Sequence, residues 1–324
     1  MSLSPRSRHH WALVGMVPIT LVWGCSFAAM KVVLQTGISV GAMLAIRFTL
    51  GALILGAFVL LLRIPMKRQA VMDGACLGVV VLSAFWLQAD GLRFTTTSKS
   101  AFITGLYVLF TPLLSLVIKD RLRLSHGLAA AVAAVGLYLL VHVPGAPMGG
   151  WNRGDTETLI CAVACALQIV MTGHYSRRSH GLVLAFVQVS VWALLSWVLA
   201  ALMPPEALAD GSRLGGLQGT LSLLGQSRAW ISILFLGVLA TALAFYMMST
   251  LQAFLGATEA AIVYSLEPLF AAILAVSALI PGIREHITLT QMIGGMAILA
   301  AMLLAELGPR LFRSARLEPE DAIG

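Results

Sequence analysis

Apolar runs of membrane-crossing length follow one another along nearly the whole chain, and no other feature restricts the fold as strongly. A helix rising ~1.5 Å per residue needs ~20 residues to cross ~30 Å of hydrocarbon. Length, polar breaks and Pro/Gly punctuation predict ten spans, near 11–34, 40–62, 74–94, 98–118, 124–143, 155–174, 181–202, 229–250, 257–280 and 287–307. The 324 residues are 59% hydrophobic and 11% charged, with a mean hydropathy of +0.92, whereas soluble domains carry ~25% charge. Few residues remain for a soluble domain, so the expected class is an all-α membrane protein. Arg6 and Arg8 precede the first apolar run as in a secretory leader, but the run continues to about Leu34 without a small-residue cleavage site and reads as the first span.

An even number of spans puts both termini on one side, and the basic residues choose that side. With the termini cytoplasmic, thirteen fall inside: Arg6, Arg8, Arg63, Lys67, Arg68, Lys119, Arg121, Arg123, Arg177, Arg178, Arg310, Arg313 and Arg316. Six fall outside, namely Arg93, Lys99, Arg153, Arg213, Arg228 and Arg284, while Lys31 and Arg47 lie within spans. The expectation is a multi-pass inner (plasma) membrane protein with both termini in the cytoplasm. Topology thus accounts for the formal charge of +7, and no basic stripe interleaved with aromatics points to nucleic acid.

Shifting the chain by 160 residues aligns Ala84, Phe85, Phe94, Ala101, Leu106, Leu109, Phe110 and Leu114 with Ala244, Phe245, Phe254, Ala261, Leu266, Leu269, Phe270 and Leu274 without a gap. The helix breaks near Thr97 and Ala257 coincide in the same register. Each repeat would hold five spans, an odd number, so the second copy enters the membrane from the opposite side. The predicted fold is therefore ten transmembrane helices as a 5+5 inverted repeat: 11–143, a linker at 144–154, 155–307, and a cytoplasmic tail at 308–324. Two similar halves of opposite orientation can exchange conformations and open a shared midplane site to either face in turn, the plan of secondary transporters.

Several short segments carry a family resemblance over residues 12–306. Trp23-Gly24-Cys25-Ser26-Phe27, Arg47-Phe48, the stretch from Lys99 to Tyr107, Gly154-Asp155 and Leu266-Glu267-Pro268 resemble motifs of two tandem EamA domains of the drug/metabolite transporter superfamily. The resemblance implies helices around a central cavity and export or exchange of small metabolites, often amino acids or related compounds. Substrate does not transfer with fold. Two positions depart from the family pattern: Asp90 is acidic where a neutral residue is expected, and Glu259 stands where a basic one is usual.

Glu267 lies near the middle of its span, where low dielectric favours the neutral carboxyl and suits proton loading and release. A protonated Glu267 bonded to backbone groups freed by Pro268 is the structural alternative. The repeat register makes Tyr107 its counterpart, so the two are expected to flank one site, Tyr107 with Thr104 and Thr111 on its face and Glu267 with Tyr264. Interhelical hydrogen bonding explains such faces equally well. The same register pairs Trp86 with Tyr246 and Asp90 with Thr250; with Trp23, Ser26 and Gln168 these are candidate walls for an amphipathic ligand, or ordinary packing.

Arg47, Asp90, Lys31, Arg93 and Lys99 are expected towards the outer third, as an outer gate in which Arg47 pairs with Asp90 and Lys31 snorkels to the interface. Pro18, Pro112 and Pro268 are expected hinges. Glu267, Asp90 and Glu259 permit proton coupling, whereas uniport or exchange needs no titrating group.

Cys25, Cys76, Cys161 and Cys165 all fall in apolar runs and read as small buried hydrophobes; no His or carboxylate completes a metal site around them. No catalytic constellation and no Walker-type loop is present, so neither an enzyme, a bound cofactor nor an ATP-driven pump is expected. The expected partners are a small-molecule substrate, the lipid bilayer and a proton gradient if Glu267 titrates; monomer and homodimer stay open. A membrane sensor or lipid flippase would use the same polar cavity and remains the alternative.

Overall fold

The computed structural model describes residues 4–115, 124–141, 150–202, 206–207, 213–214, 227–277, 279–280 and 283–314. Between the helix that ends at Leu202 and the one that starts at Ser227, the described residues form a two-residue antiparallel ladder, Glu206–Ala207 against Arg213–Leu214. Lys119, Arg121, Arg123, most of the linker beginning at Pro144-Gly145, and the tail beyond Ser314 lie outside the described residues.

Everything else regular among the described residues is helical. The elements are α1 (Pro5–Leu34), α2 (Val40–Leu61), α3 (Arg68–Phe94), α4 (Thr97–Gly105), α5 (Tyr107–Ser115), α6 (Leu124–Val141), α7 (Arg153–Tyr175) and α8 (Gly181–Leu202). Then α9 (Ser227–Leu234) passes directly into a π-helical stretch, Phe235–Leu243, and on through α10 (Ala244–Leu251). The chain ends with α11 (Ala257–Tyr264), α12 (Glu267–Ser277) and α13 (Leu289–Ser314). Short polar residues start the helices where apolar sequence resumes: Ser39 caps α2 through the Ala42 N–H, Thr96 caps α4 through the Lys99 N–H, and Asn152 forms a reciprocal capping box with Asp155.

Among the described residues, six helical segments are long and apolar enough to cross a membrane: Arg6–Leu34, Val40–Leu61, Arg68–Phe94, Arg153–Tyr175, Gly181–Leu202 and Ala229–Phe254. Shorter apolar helices follow at Ala131–Leu140, Glu267–Ser277 and Leu289–Leu304. The outer surface matches this reading. Leu53, Leu60, Leu61, Leu194 and Ile231 are each 65–78% exposed, whereas Arg47, Gln188, Ser196 and Thr241 are buried. Apolar side chains outside and polar groups inside is the arrangement hydrocarbon demands.

The expected fourth and ninth spans are each broken. α4 gives way to α5 at Leu106, and α11 to α12 at Ser265–Leu266, the positions that the 160-residue register matches. Proline is not the hinge everywhere it was expected. α1 runs unbroken through Pro18 and α5 through Pro112, while Pro268 sits at the second position of α12, where its missing N–H removes no intrahelical bond.

α2 packs chiefly on α8, α3 on α7 and α8, and α6 on α13. The last pair depends on two glycines. A Cβ added to Gly136 would lie 2.7 Å from the Gly294 carbonyl oxygen, and one added to Gly294 would lie 2.6 Å from that of Gly136. Close backbone approach of this kind raises dispersion contact where lipid offers no hydrophobic drive between helices. Gly136→Leu is expected to cost about 1–3 kcal/mol through overpacking, read as a lower melting temperature of the purified protein in detergent. An unchanged melting temperature would show that this contact contributes little.

Candidate functional site

The two broken helices meet at the centre of the molecule. Tyr107, the first residue of α5, donates its hydroxyl to Glu267 Oε2 at 3.4 Å, and Glu267 is the first residue of α12. Both side chains are buried. A side chain at the first position of a helix lies next to backbone groups with no intrahelical partner, so both breaks bring polar groups to one depth. Gly24 of α1 lets its helix close over this point, since a Cβ there would fall 2.9 Å from the Glu267 carbonyl oxygen.

A cavity opens beside the Tyr107–Glu267 pair, with about 590 Å³ of unfilled space, part of it open to solvent. α1 supplies Trp23 and Ser26, α2 Arg47, α3 Phe85 and Gln88, α4 Thr104, α7 Gln168, and α11 Tyr264. Trp23 is fixed by its indole N–H, which donates to the Ala240 carbonyl in the π-helical stretch at 3.1 Å, and its ring lies 5.4 Å from those of Phe245 and Tyr264. Phe85 and Phe245 stack against the fully buried Trp192 at 4.8 Å each. The result is a wall of rings locked by edge-on and tilted contacts. Three buried polar atoms of the lining have no hydrogen-bond partner among the described residues: Thr104 Oγ1, Gln168 Nε2 and Tyr264 OH. Buried polar atoms are normally paired, so a cluster of such atoms around one space suits a polar guest.

Of the residues singled out from sequence, Glu267, Tyr107, Trp23, Thr104 and Tyr264 line this cavity, as do Ser26 and Gln168. Trp86 and Tyr246 do not. Their neighbours Phe85 and Phe245 take the places expected of them, and Tyr246 is 38% exposed on the outer face. On each helix the lining residue is the one before the expected one, about 100° of rotation away. Gln88 and Thr241 were missed; Gln88 is a polar residue one turn from Phe85 within an apolar span, which is the signal that could have found it. Cys161 and Cys165 form part of the wall with sulfurs 3.7 Å apart, whereas Cys76 is exposed rather than buried.

Arg47 and Asp90 are not paired. Arg47 donates from Nε to Thr241 Oγ1 at 2.9 Å and from Nη1 to Met30 Sδ at 3.4 Å, and it lies 5.4 and 5.3 Å from the ring centres of Phe48 and Phe85. Asp90 instead binds Arg93 at 3.0 Å and Arg153 at 2.6 Å. The reason is packing: α3 lies against α7, which puts Asp90 beside the start of α7, while α2 turns Arg47 towards the π-helical stretch. Lys31 does not snorkel either, donating to the Leu92 and Thr95 carbonyls at 2.5 and 2.8 Å. Glu259 stands away from the cavity, accepting from the Gly256 N–H and lying 3.2 Å from His9 Nε2.

At the Asp90 end, ion pairs join residues of the two expected repeats. Lys99 contacts Asp155 at 2.6 Å with both side chains almost wholly buried, and Thr95 also donates to Asp155. Glu285 accepts from the backbone N–H groups of Thr97 and, at 3.1 Å, Ser98, placing an anion at the N-terminus of α4. At the opposite end Asp73 accepts from Arg178 at 2.6 and 3.0 Å and from Ser179 at 2.8 Å.

The EamA family model, described as an EamA-like transporter family, matches residues 10–142 and again 152–307. The chain belongs to this family. As an EamA-family protein it is a multi-pass membrane protein of a transporter family, not a catalyst. A relative from Archaeoglobus fulgidus named an uncharacterized transporter is 29% identical over 298 residues, covering 92% of this chain and 86% of its own length. A second of the same name and organism is 23% identical over 239 residues, or 72% of this chain and 76% of the relative. A solved crystal structure of a protein 19% identical to this EamA chain shares its fold, with a TM-score of 0.63 over 95% of this chain and 98% of the other.

Two outcomes follow from the site. Removing one member of the buried Lys99–Asp155 pair strands the other, so Asp155→Asn is expected to lose about 3–5 kcal/mol, measured by thermal denaturation in detergent; a double exchange of both residues for apolar ones should recover part of it. For the aromatic wall, Phe85→Ala or Phe245→Ala should lower transport efficiency by about tenfold or more, equivalent to ~1.4 kcal/mol. Trp86→Ala and Tyr246→Ala should leave it near wild type, and the reverse pattern would place the working wall elsewhere.

Proposed function

We propose that this protein is a secondary transporter of ten transmembrane helices, arranged as a 5+5 inverted repeat, that carries a small polar metabolite by alternating access. The observation carrying this reading is the central cavity at the meeting point of the two broken helices, lined by Tyr107 and Glu267 and by unpartnered polar atoms. The tandem family match at 10–142 and 152–307 supports the repeat, whose halves are placed at 11–143 and 155–307. The six long helices account for spans one, two, three, six, seven and eight. The pairs α4–α5 and α11–α12, together with α6 and α13, account for the other four. Lysine and arginine counts favour an inner-membrane orientation with both termini in the cytoplasm, which puts the Lys99–Asp155 end outside.

The substrate class this reading favours is an amino acid or a related compound. Glu267, Tyr107, Thr104, Tyr264 and Trp23 are assigned to substrate contact. Asp90, through its pair with Arg153, is assigned to the outer closure, and Glu259, beside His9, to the inner one. Glu267 is also the proton-carrying group: a carboxyl buried at mid-depth exchanges its charge state most readily when one face of the cavity admits water.

The test is uptake and efflux of a pooled amino-acid and metabolite mixture in proteoliposomes, with and without a pH gradient, for wild type and Glu267→Gln. Saturable, gradient-driven flux lost in the variant is the expected result. Flux indifferent to both gradient and variant would leave a uniporter or exchanger with a structural glutamate. No flux at all would favour a sensor or flippase.

A further inference from the structure

Arg47 is a buried cation with a charge that no neighbouring acid among the described residues balances. It is 1% exposed, and its described partners are the Thr241 hydroxyl, the Met30 thioether and the faces of Phe48 and Phe85, all of them neutral. Thioether sulfur is a weak acceptor, and a guanidinium has five N–H donors to satisfy. Ring faces return part of the lost hydration energy but supply no counter-charge. Leaving a charge unpaired in such a place costs several kcal/mol, so the position needs an explanation other than stability.

The place of Arg47 in the wall supplies one. It borders the same cavity as Thr104, Gln168 and Tyr264, each more than nine-tenths buried and each with an unpartnered polar atom. Glu267, the carboxylate of that lining, hydrogen-bonds Tyr107 instead. Thr241 holds Nε, which fixes the guanidinium plane and leaves Nη donors for a planar, two-oxygen partner, the geometry in which arginine binds carboxylate most strongly.

We propose that Arg47 is the specificity-determining anion anchor of the cavity, receiving the carboxylate of the transported molecule while the body of that molecule lies along Phe85, Phe245 and Trp23. The assignment rests on the transport reading above and makes an acidic group a requirement for carriage. The guest completes an electrostatic pair that the empty protein lacks, so binding stabilises the loaded form.

The experiment is saturation-transfer difference NMR on the protein in nanodiscs, with benzoate and its neutral isostere benzamide as probes, at matched concentration. Benzoate should bind wild type about tenfold more tightly than benzamide, lose its signal in Arg47→Gln, and keep a weaker one in Arg47→Lys, which retains the charge without the fork. Equal signals from the two probes, benzoate binding that survives Arg47→Gln, or no signal from either would overturn the assignment. Should Arg47→Gln fail to fold, the two-probe comparison on wild type and Arg47→Lys decides the matter alone. Flux separates this inference from the broader one. Benzoate binding without flux of any metabolite defeats the transport reading, and flux of compounds lacking an acidic group defeats the anchor.

Discussion

The rest of this structure depends on the backbone polarity of its two interrupted helices. In hydrocarbon every N–H and C=O must find a partner, so a helix can stop at mid-depth only where protein or water meets the freed groups. Here the breaks at Leu106 and at Ser265–Leu266 are brought face to face, and the Tyr107–Glu267 contact closes the gap between them. The cavity, the aromatic wall and the position of Gly24 against the Glu267 carbonyl are arranged around that necessity. A continuous pair of helices in the same places would leave nothing polar to gather around.

Much of this was legible in the residues. Apolar length gave the helices, because span length follows directly from bilayer thickness, and an ungapped internal match drew attention to Tyr107 and Glu267, which meet in the structure. What failed was azimuth. Hydropathy does not say which face of an all-apolar helix points inward when lipid and core are equally oily, so Trp86 and Tyr246 stood in for Phe85 and Phe245. Charge pairing failed for a similar reason: Arg47 and Asp90 are opposite charges expected at similar depth, yet nothing in spacing reveals that α2 and α3 look towards different partners. Lys31 was misread because a long cationic chain reaches water or two carbonyls with equal ease, and only the position of the α3 C-terminus decides.

The ends of the molecule differ in kind. One is held by a nearly solvent-free ion pair, Lys99–Asp155, with Asp155 also capping its own helix; the other by Arg178, 44% exposed at its side chain, on Asp73. Buried pairs are costly to separate and insensitive to salt, whereas exposed ones are weaker and screened. The Lys99–Asp155 pair therefore responds less to ionic strength than Asp73–Arg178 does, or than Asp90–Arg153 at its own end.

The π-helical stretch explains where the internal likeness of the chain begins. It ends at Leu243, and the first matched residue of the second half is Ala244, opposite Ala84. Before that point α3 winds as an ordinary helix and the later segment more broadly. Wide winding thus acts as a slack coil ahead of Phe245, taking up chain length on one side of a junction while the aromatic residue on the other side keeps its station in the wall.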